Sequence, residues 1–466
     1  MKINKKTTVE NLVLNARKAQ LIINDFSQAQ IDELVLAVAW EVIQPDNNKM
    51  LSEMAVKNSG FGNVSDKMRK NYRKTIGLLR DLQNVKTIGI INHNKEKGLT
   101  EIAKPVGVVG AIIPSTNPIA TQLNMALNAL KCRNAVIIAP SPKGVLVCNK
   151  VTELMQKALQ RVGAPINSVQ SLPGPINKND TKELCELVDL IIATGWQNNI
   201  KTALESGTPT YGVGTGNVPS IIDESANLKE ASKNIMISKT FDHSTSCSSE
   251  NSIIVLDKIY VKTIKSLEGE GGSLLSSIDK GLLEKTMWDR YGVLNRNIIG
   301  KQSNEIATMS GLNKKHLHSK FLMVEEKNIG REYPFSMEKL SPVLTVYKAK
   351  NFDSAIKIAN DILKNQGIGH SCGIHSKNEN NIIKLGKELR VARVIVNQVH
   401  CFATGGNFNN GLPFSLSMGC GKWGNNITDE NINHKHFLNI TKIVKTIKLN
   451  KPTEEEIFSN YWKKYH

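Results

Sequence analysis

Apolar residues at three- and four-residue spacing, among them Val9, Leu12, Val13 and Ala16, predict helix over residues 8–58. From residue 105 the pattern changes to strands alternating with helices. The run 106–113 reads as a buried strand. Residues 118–131 follow as a helix with Ile119, Leu123, Ala126, Leu127 and Leu130 on one face. Strands at 135–139, 169–172, 188–193 and 220–222 and helices at about 145–161 and 228–240 continue the alternation. The second half repeats it, with strands near 252–256, 320–324, 343–347 and 393–397 and a helix at 352–364. Parallel strands need crossover connections, and these lay helices over the sheet. The pattern therefore predicts an α/β fold with a parallel sheet covered on both faces. A weak division falls near residue 240. The tail from about 434 mixes basic residues, Glu454-Glu-Glu456 and aromatics, and reads as an arm packed on a neighbour.

Composition narrows the class. A chain of 466 residues has length for two or three domains, and 40% hydrophobic with 22% charged residues describes an ordinary globular protein. No apolar run follows Met1-Lys-Ile-Asn-Lys-Lys-Thr7 as a secretory signal requires, and no window reaches the ~18 apolar residues of a membrane span. Seven cysteines without CxxC or Cys/His ligand spacing predict a reducing cytoplasm, and neither disulfides nor a metal site. The net charge of +18 comes from scattered lysines and arginines, with no nucleic-acid-binding signature and only 5% aromatic residues for base stacking. It predicts a lysine-rich solvated surface that attracts small polyanions such as dinucleotides and coenzyme A, and no nucleic acid partner.

Four segments carry candidate chemistry. In Ser244-Thr-Ser-Cys247-Ser-Ser-Glu250 a single thiol sits among small polar residues at a loop-to-strand junction, where a reactive cysteine stays accessible on a rigid backbone. Most cysteines are packing residues, so spacing alone leaves both readings open. Pro114-Ser115-Thr-Asn117-Pro118 joins a strand to a helix; Asn117 is a favoured helix cap, and its amide can also serve as an oxyanion donor. No GxGxxG follows a predicted strand. Two glycine turns remain, Thr194-Gly195-Trp-Gln and Tyr211-Gly-Val-Gly214-Thr-Gly-Asn217, either of which admits a phosphate or a ligand backbone. Ile368-Gly-His370-Ser-Cys-Gly-Ile-His375 offers two histidines, of which His370, flanked by a glycine turn, is the better acid–base candidate.

In this order the segments resemble the aldehyde dehydrogenase superfamily, in its CoA-acylating branch, over about residues 8–445. The most specific matches are Gly107-Val-Val-Gly-Ala-Ile-Ile-Pro-Ser-Thr-Asn-Pro118, Lys131-Cys-Arg-Asn-Ala-Val-Ile-Ile138 and Tyr211-Gly-Val-Gly-Thr-Gly-Asn-Val-Pro219. Thr240-Phe-Asp242 before Cys247, Glu338-Lys-Leu-Ser-Pro-Val343 and Ser417-Met-Gly-Cys-Gly-Lys-Trp-Gly-Asn425 add to them.

The resemblance implies a Rossmann-type NAD(P)-binding domain over 1–240 with an oligomerisation hairpin near 85–105. An α/β catalytic domain would follow over 241–420, then a return segment and C-terminal arm over 421–466. It makes Cys247 the nucleophile, Asn117 the oxyanion donor together with the Cys247 backbone N–H, and His370 the residue at the coenzyme A entry. Pro114, Ser115, Thr194, Gly195, Gly214 and Glu338 become cofactor-binding residues. Ser141 and Lys143, after a strand with no acidic residue for a ribose hydroxyl, suit the 2′-phosphate of NADP+. Hydrolytic relatives carry a Glu-Leu-Gly-Gly loop whose glutamate activates water. Here the loop reads Gly212-Val-Gly-Thr-Gly216, so the acyl group is expected to pass to coenzyme A. Asn397-Gln-Val-His-Cys-Phe-Ala-Thr-Gly-Gly406 with Asn410-Gly-Leu-Pro-Phe-Ser415 looks most like members acting on sulfoacetaldehyde; acetaldehyde and butyraldehyde are the alternative substrates. A homodimer or homotetramer is implied. From another class, an inactive binding protein of the same fold is disfavoured by the intact Asn117, Cys247 and Glu338.

Overall fold

The computed structural model describes residues 8–195 and 197–465. The Met1–Thr7 stretch, Trp196 of the first glycine turn and the terminal His466, all included in the sequence reading, lie outside the described residues. The helical stretch 8–58 is three helices, Val9–Asn24, Gln28–Ile43 and Pro45–Ser59. Ser27 and Gln30 form a reciprocal capping box that starts the second. Pro45, which lacks the N–H a helix interior needs, starts the third. The apolar pattern does not predict the next helix, Val64–Leu82, because its buried side carries Lys67, Lys70 and Lys74 in place of hydrocarbon.

Two parallel sheets follow. The first has the spatial order Val169–Ser171, Ala135–Pro140, Val108–Ile113, Leu190–Thr194, Thr210–Val213. In sequence terms that is third, second, first, fourth, fifth, so the order reverses between Val108–Ile113 and Leu190–Thr194. At such a reversal the helices leave to opposite faces and a crevice opens beyond the carboxyl ends of the strands. The helix Pro118–Lys131 leaves from this edge. All fourteen of its residues are buried, because it packs against the sheet and also against helices Gln28–Ile43, Val64–Leu82 and Val145–Arg161. The one-sided apolar face read from its sequence is therefore the sheet-and-helix side of a helix enclosed all round. Each fully buried Leu or Ile here contributes roughly 1.5–3 kcal/mol.

The second sheet has seven strands, with Glu250–Leu256 near its centre between Val343–Ala349 and Val218–Ile222. Every residue of Glu250–Leu256 is buried, so the loop that delivers Cys247 is anchored on a rigid strand. The chain crosses from one sheet to the other at residues 214–217, between Thr210–Val213 and Val218–Ile222. No composition break marks this crossing, since the strands on both sides of it are apolar. A third, antiparallel sheet pairs the hairpin Gly89–Asn94 and Leu99–Pro105 with Leu438–Val444. It leaves Ile90, Ile440, Ile443 and Val444 exposed. The C-terminal helix Glu454–Tyr465 buries none of its residues. Among the described residues no helix is long and apolar enough to cross a membrane.

Gly77, in the middle of Val64–Leu82, lies flat against Phe414; a Cβ there would sit 2.2 Å from the ring. Propensity alone would make Gly77→Ala stabilising by about 1 kcal/mol. The expected outcome is the reverse, a loss of about 1–3 kcal/mol from overpacking, read by urea denaturation. A stability gain would contradict the contact.

Candidate active site

The two sheets meet at one cavity of ≈ 260 Å³. Pro114, Ser115 and Asn117 reach it from the end of the first strand, and Thr194 and Gly195 from the end of the fourth. Gly214 reaches it from the crossing loop, and Cys247, Glu338 and His370 from the second sheet's side. All of these were singled out in the sequence, and the fold brings them together. Ser141 and Lys143 line no part of this cavity. Ser141 Oγ is buried without a partner, while Lys143 Nζ lies 4.5 Å over the Phe61 ring and donates to the Ser59 carbonyl at 3.4 Å. His375, the weaker candidate, is buried on the strand Cys372–His375 away from the cavity.

Six of the seven cysteines are buried; Cys247 alone is half-exposed. Gly216 packs so closely on it that a Cβ would fall 2.0 Å from the Cys247 carbonyl oxygen, which sets the crossing loop directly against the nucleophile's backbone. Among the described residues the Cys247 N–H donates to no protein acceptor. The thiol is pushed up to about 12, first by desolvation and then by the Glu338 charge. It therefore rests protonated while the cavity holds only solvent.

Asn117 stands at the N-cap position of Pro118–Lys131 but makes no capping bond. Its Oδ1 instead accepts from Lys70 Nζ at 2.5 Å. An ammonium can only donate, so this bond fixes the amide orientation, and Nδ2 donates to Thr116 Oγ1 at 3.5 Å. Lys70 is held in turn by Asp242. The Asp242 carboxylate takes Lys70 Nζ at 2.5 Å, Lys67 Nζ at 3.0 Å and Thr245 Oγ1 at 2.8 Å on Oδ2, and the Asn63 N–H at 3.0 Å on Oδ1. Asp242, His243 and Ser244 all take left-handed backbone (φ 48°, 51° and 62°). That geometry costs L-residues about 1–2 kcal/mol each, and the Asp242 bonds offset it. Burial alone would raise the Asp242 carboxyl; the two ammonium groups outweigh it and hold the group down at about 2. Lys67, Lys70 and the role of Asp242 escaped the sequence reading. Their signal was a lysine stripe at i, i+3 and i+7 in a segment with few apolar residues.

Glu338 is pushed up to about 8 by burial, against the pull of Lys239 and Lys339, and its Oε1 has no hydrogen-bond partner among the described residues. His370 is buried, with Nδ1 2.8 Å from Ser371 Oγ and Nε2 without a partner among the described residues. Burial first, then Arg393 and His400, lower it to about 3, so it is neutral throughout the physiological range. Thr194 Oγ1 lies 2.6 Å from Ser417 Oγ, which ties the crevice to the late segment 415–418.

A crevice at a strand-order reversal, with a cysteine thiol and an oriented amide on its wall, defines an α/β protein whose two parallel sheets meet at a single candidate site. The comparisons agree. Residues 2–277 and 333–415 match the model of the aldehyde dehydrogenase family, and the chain belongs to that family. It is 48% identical to a sulfoacetaldehyde dehydrogenase (acylating) of Cupriavidus necator, over 97% of this chain and 92% of that one. It is 41% identical to a sulfoacetaldehyde dehydrogenase (acylating) of Bilophila wadsworthia, over 99% of each. Among solved structures, an acetylating aldehyde dehydrogenase from Geobacillus thermoglucosidasius superposes with a TM-score of 0.91 at 37% identity. That alignment covers 96% of this chain and 98% of the other.

Two outcomes follow from the charges. Asp242→Asn should cost about 3–5 kcal/mol in urea denaturation, because Lys67 and Lys70 remain buried without their counter-ion. In the unchanged protein, the depressed Asp242 value means its share of stability is complete above about pH 4 and is lost as pH falls through about 2. Alkylation of Cys247 by iodoacetamide, followed by mass spectrometry, should accelerate steadily from pH 7 to 10. A plateau below pH 8 would show a thiolate already formed.

Proposed function

We propose that the protein is a CoA-acylating aldehyde dehydrogenase. It oxidises sulfoacetaldehyde with NAD(P)+ and coenzyme A to the acyl-CoA through a thioester on Cys247. The observation that carries this reading is the juxtaposition at Cys247 of an amide whose oxygen is held by Lys70, an imidazole nitrogen with no partner among the described residues, and a crossing loop, Gly214-Thr-Gly216, that bears no carboxylate. The Cupriavidus and Bilophila relatives, both named for sulfoacetaldehyde, support the choice of substrate.

The residues present fit a dinucleotide. Glu338 Oε1 is a buried oxygen with no hydrogen-bond partner among the described residues, suited to a ribose hydroxyl, and Pro114, Ser115, Thr194, Gly195 and Gly214 border the crevice where its phosphates and nicotinamide would lie. Bound there, NAD(P)+ supplies the acceptor for the hydride that leaves the substrate carbon. The Cys247 thiol gives up its proton to solvent, its sulfur adds to the aldehyde carbon as the C=O π bond breaks, and the resulting oxyanion is received by Asn117 Nδ2 and the Cys247 N–H, each such donor worth about 3–4 kcal/mol in comparable sites. Loss of hydride leaves an acyl thioester on Cys247. His370 Nε2 accepts the S–H proton of the incoming coenzyme A, whose sulfur displaces Cys247 as the leaving thiolate. With no glutamate in the crossing loop, water lacks the base that hydrolytic relatives use, and thiol transfer prevails.

We read Ser141 and Lys143 as receivers of a 2′-phosphate, and the first sheet as the nucleotide-binding half. The antiparallel sheet, with Ile440, Ile443 and Val444 exposed, we read as the arm of a homodimer or homotetramer working in the cytoplasm.

With aldehyde and either nucleotide, NADH or NADPH should form in quantity only when coenzyme A is present; equal steady-state turnover without it would overturn the acylating assignment. Sulfoacetaldehyde should exceed acetaldehyde and butyraldehyde in kcat/KM. Cys247→Ala should abolish turnover, Asn117→Ala should lower kcat by about 10²–10³, and His370→Asn should slow the coenzyme A half-reaction more than hydride transfer in single-turnover measurements.

A further inference from the structure

Cys247 and Asn117 also line a second, smaller cavity of ≈ 50 Å³, whose walls include Lys70, Arg73, Lys74 and Phe402. No acidic residue lines it. Its three cations differ in how they are held. Lys70 is committed to Asp242 and to Asn117 Oδ1. Lys74 Nζ donates to the Gly405 carbonyl at 2.5 Å and the Ser415 carbonyl at 3.3 Å, which leaves one of its three N–H bonds unassigned. Arg73 donates only through Nη2, to Asn407 Oδ1 at 2.6 Å and to the carbonyls of Gly406 and Phe402 at 3.3 and 3.4 Å. Among the described residues its Nε and Nη1 donate to no protein acceptor, and its guanidinium lies 4.8 Å from the Phe402 ring centre. Among the described residues neither Arg73 nor Lys74 forms an ion pair.

A buried lysine beside a half-buried arginine, with no counter-ion among the described residues, is unfavourable unless something else brings the negative charge. Burial depresses Lys74 to about 7 and Arg73 to about 10, the direction expected of cations awaiting an anion. The same cavity opens onto the nucleophile, so the anion it receives belongs to the molecule whose carbonyl carbon Cys247 attacks. We propose that this cavity seats the sulfonate of the substrate, with Arg73 and Lys74 as its ligands and the determinants of selectivity for a charged aldehyde. The assignment rests on the acylating aldehyde dehydrogenase reading above. In sulfoacetaldehyde a single methylene separates the carbonyl carbon from sulfur. The cations that neutralise the sulfonate must therefore stand immediately beside the cysteine and its oxyanion donor, and Arg73 and Lys74 share a cavity wall with both. A tetrahedral group with three equivalent oxygens can use the Lys74 N–H and the Arg73 Nε and Nη1 donors together. An uncharged aldehyde leaves the two cations as they are.

The test compares kcat/KM for sulfoacetaldehyde and acetaldehyde in the wild-type enzyme, Lys74→Met and Arg73→Gln, at saturating nucleotide and coenzyme A. The sulfoacetaldehyde-to-acetaldehyde ratio should fall by about 30-fold or more in each variant, carried mainly by KM, as expected for removing one partner of a buried charge pair. An unchanged ratio, with both substrates affected alike, overturns the subsite while leaving the acylating reading intact. A wild-type enzyme that turns over acetaldehyde with coenzyme A but not sulfoacetaldehyde overturns the substrate choice and the subsite together. A measurement on the wild-type protein removes dependence on the variants' folding. Ethanesulfonate should compete with sulfoacetaldehyde and protect Cys247 from iodoacetamide. Absent protection, or stronger protection by propionate, overturns the sulfonate assignment.

Discussion

The carboxylate of Asp242 holds the active site together. It is buried between Lys67 and Lys70 of one helix, and it belongs to the left-handed turn that leads into Cys247. Through Lys70 it reaches Asn117, at the end of the first sheet. One anion therefore ties three separate pieces of chain, the Val64–Leu82 helix, the Asn117 turn and the cysteine loop. It also fixes the orientation of the Asn117 amide. A neutral residue there would leave two ammonium groups without compensation and three left-handed residues without their anchoring bonds.

The electrostatics around Cys247 are divided. On the nucleotide side Glu338, once ionised above about pH 8, adds to the desolvation that raises the thiol, and on the small-cavity side Lys70, Arg73 and Lys74 bring together basic groups. His370 contributes no charge, since burial keeps it neutral. The nucleophile thus sits at the boundary between a region suited to sugar hydroxyls and one suited to an anion. The sulfur itself stays protonated until substrates change the solvation that burial has removed.

Much of this was legible in the residues. The helix Pro118–Lys131 and the strands around it followed from periodicity, because hydrophobic spacing reports directly on which faces leave water. Cys247 stood out because its neighbours are small and polar, and it is the one cysteine the fold leaves half-exposed. The missing glutamate in Gly212-Val-Gly-Thr-Gly216 was readable outright. The helix Val64–Leu82 was not, since a buried face made of lysines gives no apolar stripe to detect. The crossing between sheets at 214–217 was not legible either, because both flanking strands are apolar and only hydrogen-bond pairing assigns each to its sheet.

The sequence by itself determined the kind of elements, their order, and the residue types available for chemistry, because these depend on local backbone preference and on side-chain identity. The tertiary structure decided what each group can do. Asn117 read equally well as a helix cap and as an oxyanion donor until Lys70, forty-seven positions away, took its oxygen. The scattered lysines and arginines read as solvated surface, yet folding buries Lys74 and half-buries Arg73 at a cavity shared with Cys247, with no carboxylate among its described lining residues. Hydrogen-bond partners and desolvation are set by residues distant in the chain, so they exist only once the chain has closed on itself.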